Sequence, residues 1–200
     1  MKTLLFSFAL IIISVNIMAQ DRRDAVAQQA LSTYKQLQAA QPTKNENVRD
    51  TALWTLGSPV RTAIVQLDKL REYKPGDPAK NLIMQSEKVI YPVINSRTKR
   101  VAGSIALERK QDNWVASSFG RETGELQKKD SLGGAQRDYT LVKILAFNLS
   151  FLAYEEGGAT QLIPLQDDRE RDIVRGRPVA AEKIFERYVK AANEYNGLPL

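Results

Sequence analysis

The 200-residue chain contains no cysteine and no histidine. Without thiols there is no disulfide, no thiolate nucleophile and no sulfur-ligated zinc. Without imidazole there is no side chain whose ordinary titration falls near neutral pH. These two absences exclude Ser-His-Asp and Cys-His hydrolases, zincins and thiol oxidoreductases together. Internal repeats and low-complexity tracts are also missing. What is present is ordinary globular chemistry: 43% hydrophobic residues, and 29 Lys+Arg against 23 Asp+Glu for a net charge of +6. The length suits one generous domain or two small ones.

The most apolar stretch comes first. Met1-Lys2-Thr3 supplies a positive charge, Leu4 to Ile13 is almost wholly apolar, and Asn16-Ile17-Met18-Ala19 places a small residue before Gln20. That order predicts a signal peptide over residues 1–19 and an exported domain over 20–200, periplasmic or extracellular. Interrupted by Ser7, Ser14 and Asn16, the stretch falls short of the roughly 20 residues that span a bilayer, so no stable membrane anchor is expected after cleavage. An exported chain without disulfides fits a bacterial envelope.

Beyond it, Ala27, Leu31 and Tyr34, with Val26, Ala30 and Leu37 beside them, make the apolar stripe of a helix over 21–40. Val48 to Leu56 reads as a second short helix carrying Leu53 and Trp54. Val60 to Leu67 is dense in β-branched residues and reads as a strand, with Leu67 to Tyr73 continuing it or turning helical. Lys74-Pro75-Gly76-Asp77-Pro78 is a break. Runs 88–95, 101–107 and 114–119, separated by polar turns, predict an antiparallel meander. Pro92 has no N–H to give a ladder, which predicts an edge strand or a bulge. Residues 121–137 are polar with three glycines and read as a long flexible loop. Tyr139 to Tyr154 is apolar enough for either a central strand or a buried helix. The hairpin-like Glu155-Glu156-Gly157-Gly158 after it favours strand, and the Asn148-Leu149-Ser150 sequon is read as buried. A terminal helix buries Ala181, Ile184, Phe185, Tyr188, Ala191, Ala192 and Tyr195, with Pro178 in its first turn and Gly197 past its end. The sum is an α+β domain, an antiparallel sheet of about 5–6 strands packed by N- and C-terminal helices. This layout resembles cystatin-like and nuclear-transport-factor-like proteins in shape.

Candidate chemistry is sparse. Carboxylates are the main acid–base groups left, and a glycan hydrolase needs two of them across one cleft. Glu87, Glu108, Glu155, Asp167 and Asp168 are the candidates, but the run 167–177 interleaves acids with arginines and reads as surface ion pairing. A Ser-Lys dyad using Lys88, Lys110 or Lys143 has no supporting motif, and neither a metal nor a cofactor motif is found. Arg97, Lys99 and Arg100 sit on the 96–100 turn, where a phosphate or an anionic envelope polymer finds positive charge. Trp114 offers an aromatic surface. These four are the predicted ligand-binding residues. The basic residues are too scattered for nucleic acid. The expectation is an exported non-enzymatic binding or accessory module with a protein or glycan partner; the alternatives are anionic-polymer binding and a carboxylate-dependent glycan hydrolase.

Overall fold

A computed structural model describes the backbone of residues 3–40, 50–131 and 138–197, with side chains from Arg22 onward. Nine strands and four α-helices are described. The strands are β1 (Trp54–Leu56), β2 (Val60–Val65), β3 (Ile83–Asn95), β4 (Val101–Lys110), β5 (Asn113–Phe119), β6 (Thr140–Ile144), β7 (Leu149–Glu156), β8 (Ala159–Pro164) and β9 (Val179–Ala180). The helices are α1 (Thr3–Ala40), α2 (Leu67–Glu72), α3 (Thr123–Ser131) and α4 (Ala181–Glu194). One sheet runs β5-β4-β3-β2-β6-β7-β8-β9, with β1 beside the end of β3. Among the described residues every ladder is antiparallel except β2–β6, which is parallel and joins the β1–β5 half to the β6–β9 half.

The mixed α+β architecture and the β3-β4-β5 meander follow the sequence reading. The strand count does not, for three reasons. The apolar run 139–154 folds back on itself as β6 and β7 rather than forming one element. Leu145–Phe147 makes a 3-10 turn and Asn148 adopts φ 51°, a left-handed conformation that asparagine tolerates better than most residues. Asn148 is therefore exposed on the turn, not buried in a strand. Trp54 begins β1 after a 3-10 turn at Thr51–Leu53, where a short helix was expected; Val48 lies outside the described residues. Pro178 precedes the two-residue β9 instead of opening α4.

Pro92 is not on an edge. Its carbonyl accepts the Gly57 N–H at 2.8 Å, so its nitrogen faces the same side, where β1 has ended and β2 has not begun. The ladder to β4 shifts register just after it, between Val93 and Ile94. A missing donor costs little where no partner strand is present.

Alternation along the strands gives two faces. On one, α1 packs Ala27, Ala30, Leu31 and Tyr34 against Tyr91, Ile105 and Leu107, with Trp54 beside them. Leu37, one helical turn on, stays exposed. On the same face, α4 and α2 cover β2, β6, β7 and β8: Ile184, Phe185 and Tyr188 meet Ala63, Val142, Phe151 and Leu162. Arg71 of α2 donates to the Ala192 and Tyr195 carbonyls at 2.8 Å, capping the end of α4, whose last turn has no basic residue of its own. The opposite face gathers Ile90, Leu141, Leu152 and Leu165 around Leu126 of α3. That helix occupies most of the segment expected to be a flexible loop; 132–137 lies outside the described residues. Burial of Leu126 and a contact between buried Glu122 and Lys88 anchor a polar stretch that has little local tendency to order.

Candidate functional site

The two helical layers leave part of their shared sheet face uncovered. There the inward positions become polar: Arg61 on β2, Gln85 on β3, Thr140 on β6 and Glu155 on β7. The register places them in adjacent rows, since Arg61 pairs with Thr140, Thr140 with Ala153, and Glu155 with Thr160. Lys80, on the 3-10 turn Ala79–Asn81, closes one side, and Glu156 and Asp138 stand on the other. The result is a half-open cleft of about 720 Å³, within the range of small-ligand sites. Ile83 and Ala153 give it small apolar patches.

Charge in this cleft is divided. Both cations, Arg61 and Lys80, come from the β1–β5 half, and all three carboxylates come from the β6–β9 half or from Asp138, two residues before it. Arg61 pairs with Asp138 across the junction. The Thr160 hydroxyl donates to Glu155 at 2.6 Å. Lys80 is exposed and makes no ion pair among the described residues. Such a surface can hold a polar ligand by charge at both ends.

The structure does not bring the four predicted ligand-binding residues together. Arg97, Lys99 and Arg100 are exposed on the β3–β4 turn, at the Val101 end of β4. Trp114 pairs with Arg109 near the other end of β4, about 26 Å away at the usual rise per strand residue. The turn is well built. Asn95 Oδ1 accepts the N–H groups of Arg97 and Thr98 at 3.0 and 3.1 Å, Lys99 takes φ 58°, and Arg97 lies 3.5 Å from Asp50. The Trp114 ring is half-buried, with the Arg23 guanidinium 6.0 Å above it.

The carboxylate candidates also separate. Of the five, only Glu155 lines the cleft; Glu87, Glu108 and Asp167 are exposed. Asp168 accepts from Tyr188 at 2.7 Å and from Arg171 at 2.9 Å. Burial raises its pKa, but these donors outweigh burial and hold the carboxyl below its usual range. Arg171 also lies over the Tyr188 ring, so this group ties the 167–177 segment to α4. A second such assembly ties α1 to β3: Arg23 donates to the Tyr91 hydroxyl at 2.8 Å, and Tyr91 donates to Asp24. Burial, then the Asp24 hydrogen bond, pushes the Tyr91 phenol well above its ordinary value. Lys88 and Lys143 are paired with Glu122 and Glu125. Two of the three lysines considered for a Ser-Lys dyad are thus held in ion pairs.

Sequence reasoning missed Arg61, Lys80 and Gln85. They lie more than 50 residues before their partners Asp138, Glu155 and Thr160, and the parallel β2–β6 ladder that unites them has no local signature. Alternation in β2 and β7 marks which residues share a face, but only the pairing of the two halves makes the cleft. Comparison with protein-family models, with curated proteins and with solved structures gives no match, so the geometry alone carries the functional argument.

Proposed function

We propose that the protein is an exported, non-enzymatic binding module of a bacterial envelope, with the cleft as its ligand face. The observation that carries this reading is the divided charge of the cleft over a hydrogen-bonding floor. With thiol and imidazole chemistry excluded by composition, its side chains are suited to holding charge in place. The mixed sign argues against nucleic acid, which calls for a continuous basic surface. Export rests on the order of charge, apolar stretch and small residue over 1–19. No helix among the described residues is long and apolar enough to cross a membrane. The layout of α1 across β3–β5 supports the likeness in shape to cystatin-like and nuclear-transport-factor-like proteins.

The test is an amide NMR titration of the purified protein with trialanine and with the neutral glycan chitotriose, followed by product analysis. Shifts gathered at Arg61, Gln85, Thr140 and Thr160, with both compounds intact, support the reading. Steady conversion of either compound, or shifts confined to other surfaces, overturns it.

The ordered turn bearing Arg97, Lys99 and Arg100 supports a second contact, with an anionic envelope polymer. Elution from a heparin column should move to clearly lower salt when all three become alanine. Unchanged elution removes this contact.

A further inference from the structure

We infer that the cleft takes a short peptide with both termini free, its carboxylate toward Lys80 and its ammonium toward Glu155 and Glu156. The inference rests on the cleft being a ligand site and goes further in naming the ligand class and its direction. Three observations carry it.

The first is the separation of charge. Gln85 on β3 and Glu155 on β7 belong to strands three places apart in the sheet, about 14 Å across at the usual spacing, and the register sets them two rows apart, about 13 Å along the strands. Lys80 leads into β3 on one side, and Glu155 and Glu156 end β7 on the other. Long side chains reaching inward from both walls narrow the gap between charges. A ligand satisfying both walls carries opposite charges separated by roughly 10 Å, the span of about three extended residues.

The second is the state of the cations. The Arg61 guanidinium is already paired with Asp138, whereas Lys80 has no carboxylate partner among the described residues. The ammonium available to a new anion is therefore on the β3 side, which fixes the ligand's direction.

The third is the floor. The Gln85 amide at the β3 wall and the Thr140 hydroxyl on β6 face the space between the charged walls. Thr160 stands beyond Glu155 on β8 with its hydroxyl donated to that carboxylate, and Ile83 and Ala153 provide only small apolar areas. Peptide N–H and C=O groups with small side chains match such a floor. Bulky apolar side chains do not.

The experiment is an NMR titration with trialanine, N-acetyl-trialanine, trialanine amide and chitotriose, using the protein and two variants, Lys80→Ala and Glu155→Gln/Glu156→Gln. All three substituted side chains are exposed, so the fold is expected to persist, and circular dichroism checks it. Trialanine should move cleft amides, and each blocked peptide should bind at least about tenfold more weakly. Lys80→Ala should abolish discrimination against the amide only, and the double glutamine variant discrimination against the acetyl form only. Equal binding of free and blocked peptides refutes the inference, as does the reverse pairing of variant with blocked end. Binding of chitotriose in the cleft without trialanine refutes the peptide while leaving the binding-module reading intact. Turnover of either compound refutes that reading itself.

Discussion

Replacement of Gly103 by alanine tests how the N-terminal helix is seated on the sheet. Gly103 faces Val93 across the β3–β4 ladder, and the Tyr34 ring of α1 lies directly on it. A Cβ at 103 would stand 2.7 Å from Tyr34 Cε1 and 2.8 Å from its hydroxyl oxygen. The ring cannot easily swing aside, because Trp54 and Phe119 each hold it at a centroid distance of 5.4 Å. Overpacking of this kind costs about 1–3 kcal/mol. Against it stands the reduced freedom of the unfolded chain when glycine becomes alanine, worth about 0.4–1 kcal/mol. The net expectation is destabilisation of about 1–2 kcal/mol. Tyr34→Leu keeps an apolar body but removes the clashing atoms. In that background Gly103→Ala should be neutral or stabilising by about 0.5 kcal/mol, a coupling of about 2 kcal/mol between the two sites. Urea unfolding followed by the fluorescence of Trp54 and Trp114, both at the α1 contact, measures all four proteins. Equal effects of Gly103→Ala in the two backgrounds would refute the close approach as the reason for glycine.

Removing Lys88 by Lys88→Ala leaves the Glu122 carboxylate, 1% exposed, without its cation; a loss of about 3–5 kcal/mol in urea unfolding is expected. Asp168→Asn should cost about 1–3 kcal/mol at neutral pH through weakened bonds to Tyr188 and Arg171. Because the folded pKa of Asp168 is depressed, its contribution is fully present above the ordinary carboxylate value of about 3.9 and is lost as pH falls through the folded value. The gap between wild type and Asp168→Asn should therefore close in acid, and a constant gap down to pH ~2 contradicts the linkage. Burial, then hydrogen bonding to Asp168, raises the Tyr188 phenol above its ordinary value. Its contribution is intact below about pH 10 and falls by about 1.4 kcal/mol per unit above it. Tyr188→Phe should remove that much of the alkaline slope in unfolding measured between pH 9 and 11.

The parts of this fold that depend on neighbours in sequence were legible beforehand. The stripe of α4 from Ala181 to Ala192 and the hairpins joining β3, β4 and β5 follow from periodicity and polar turns. Elements that depend on distant partners were not. Residues 123–131 carry only one buried apolar side chain, Leu126, and become helical because that leucine and Glu122 find places on the sheet. Pro92 suggested an edge or a bulge; the ladder does shift register just after it, but a sequence does not show that the strand exchanges one neighbour for another at that residue. The paired acids Glu155 and Glu156 were visible, yet Arg61 and Lys80 gave no reason to be placed with them. Basic residues at the 97–100 turn stood out by their density, which is a property of the chain and not of a concave surface.

The single parallel ladder also bears on the order in which the molecule assembles. Arg61 and Thr140 meet across about 80 intervening residues, a long loop to close, whereas the antiparallel ladders on either side join strands much nearer along the chain. Each half can pair its own hairpins early, and docking one half on the other then becomes the slow event. Substitutions at Ala63 or Val142, which meet across that junction, should slow refolding, while changes in the β4–β5 hairpin should chiefly hasten unfolding. A ligand spanning the two halves would brace the last contact to form.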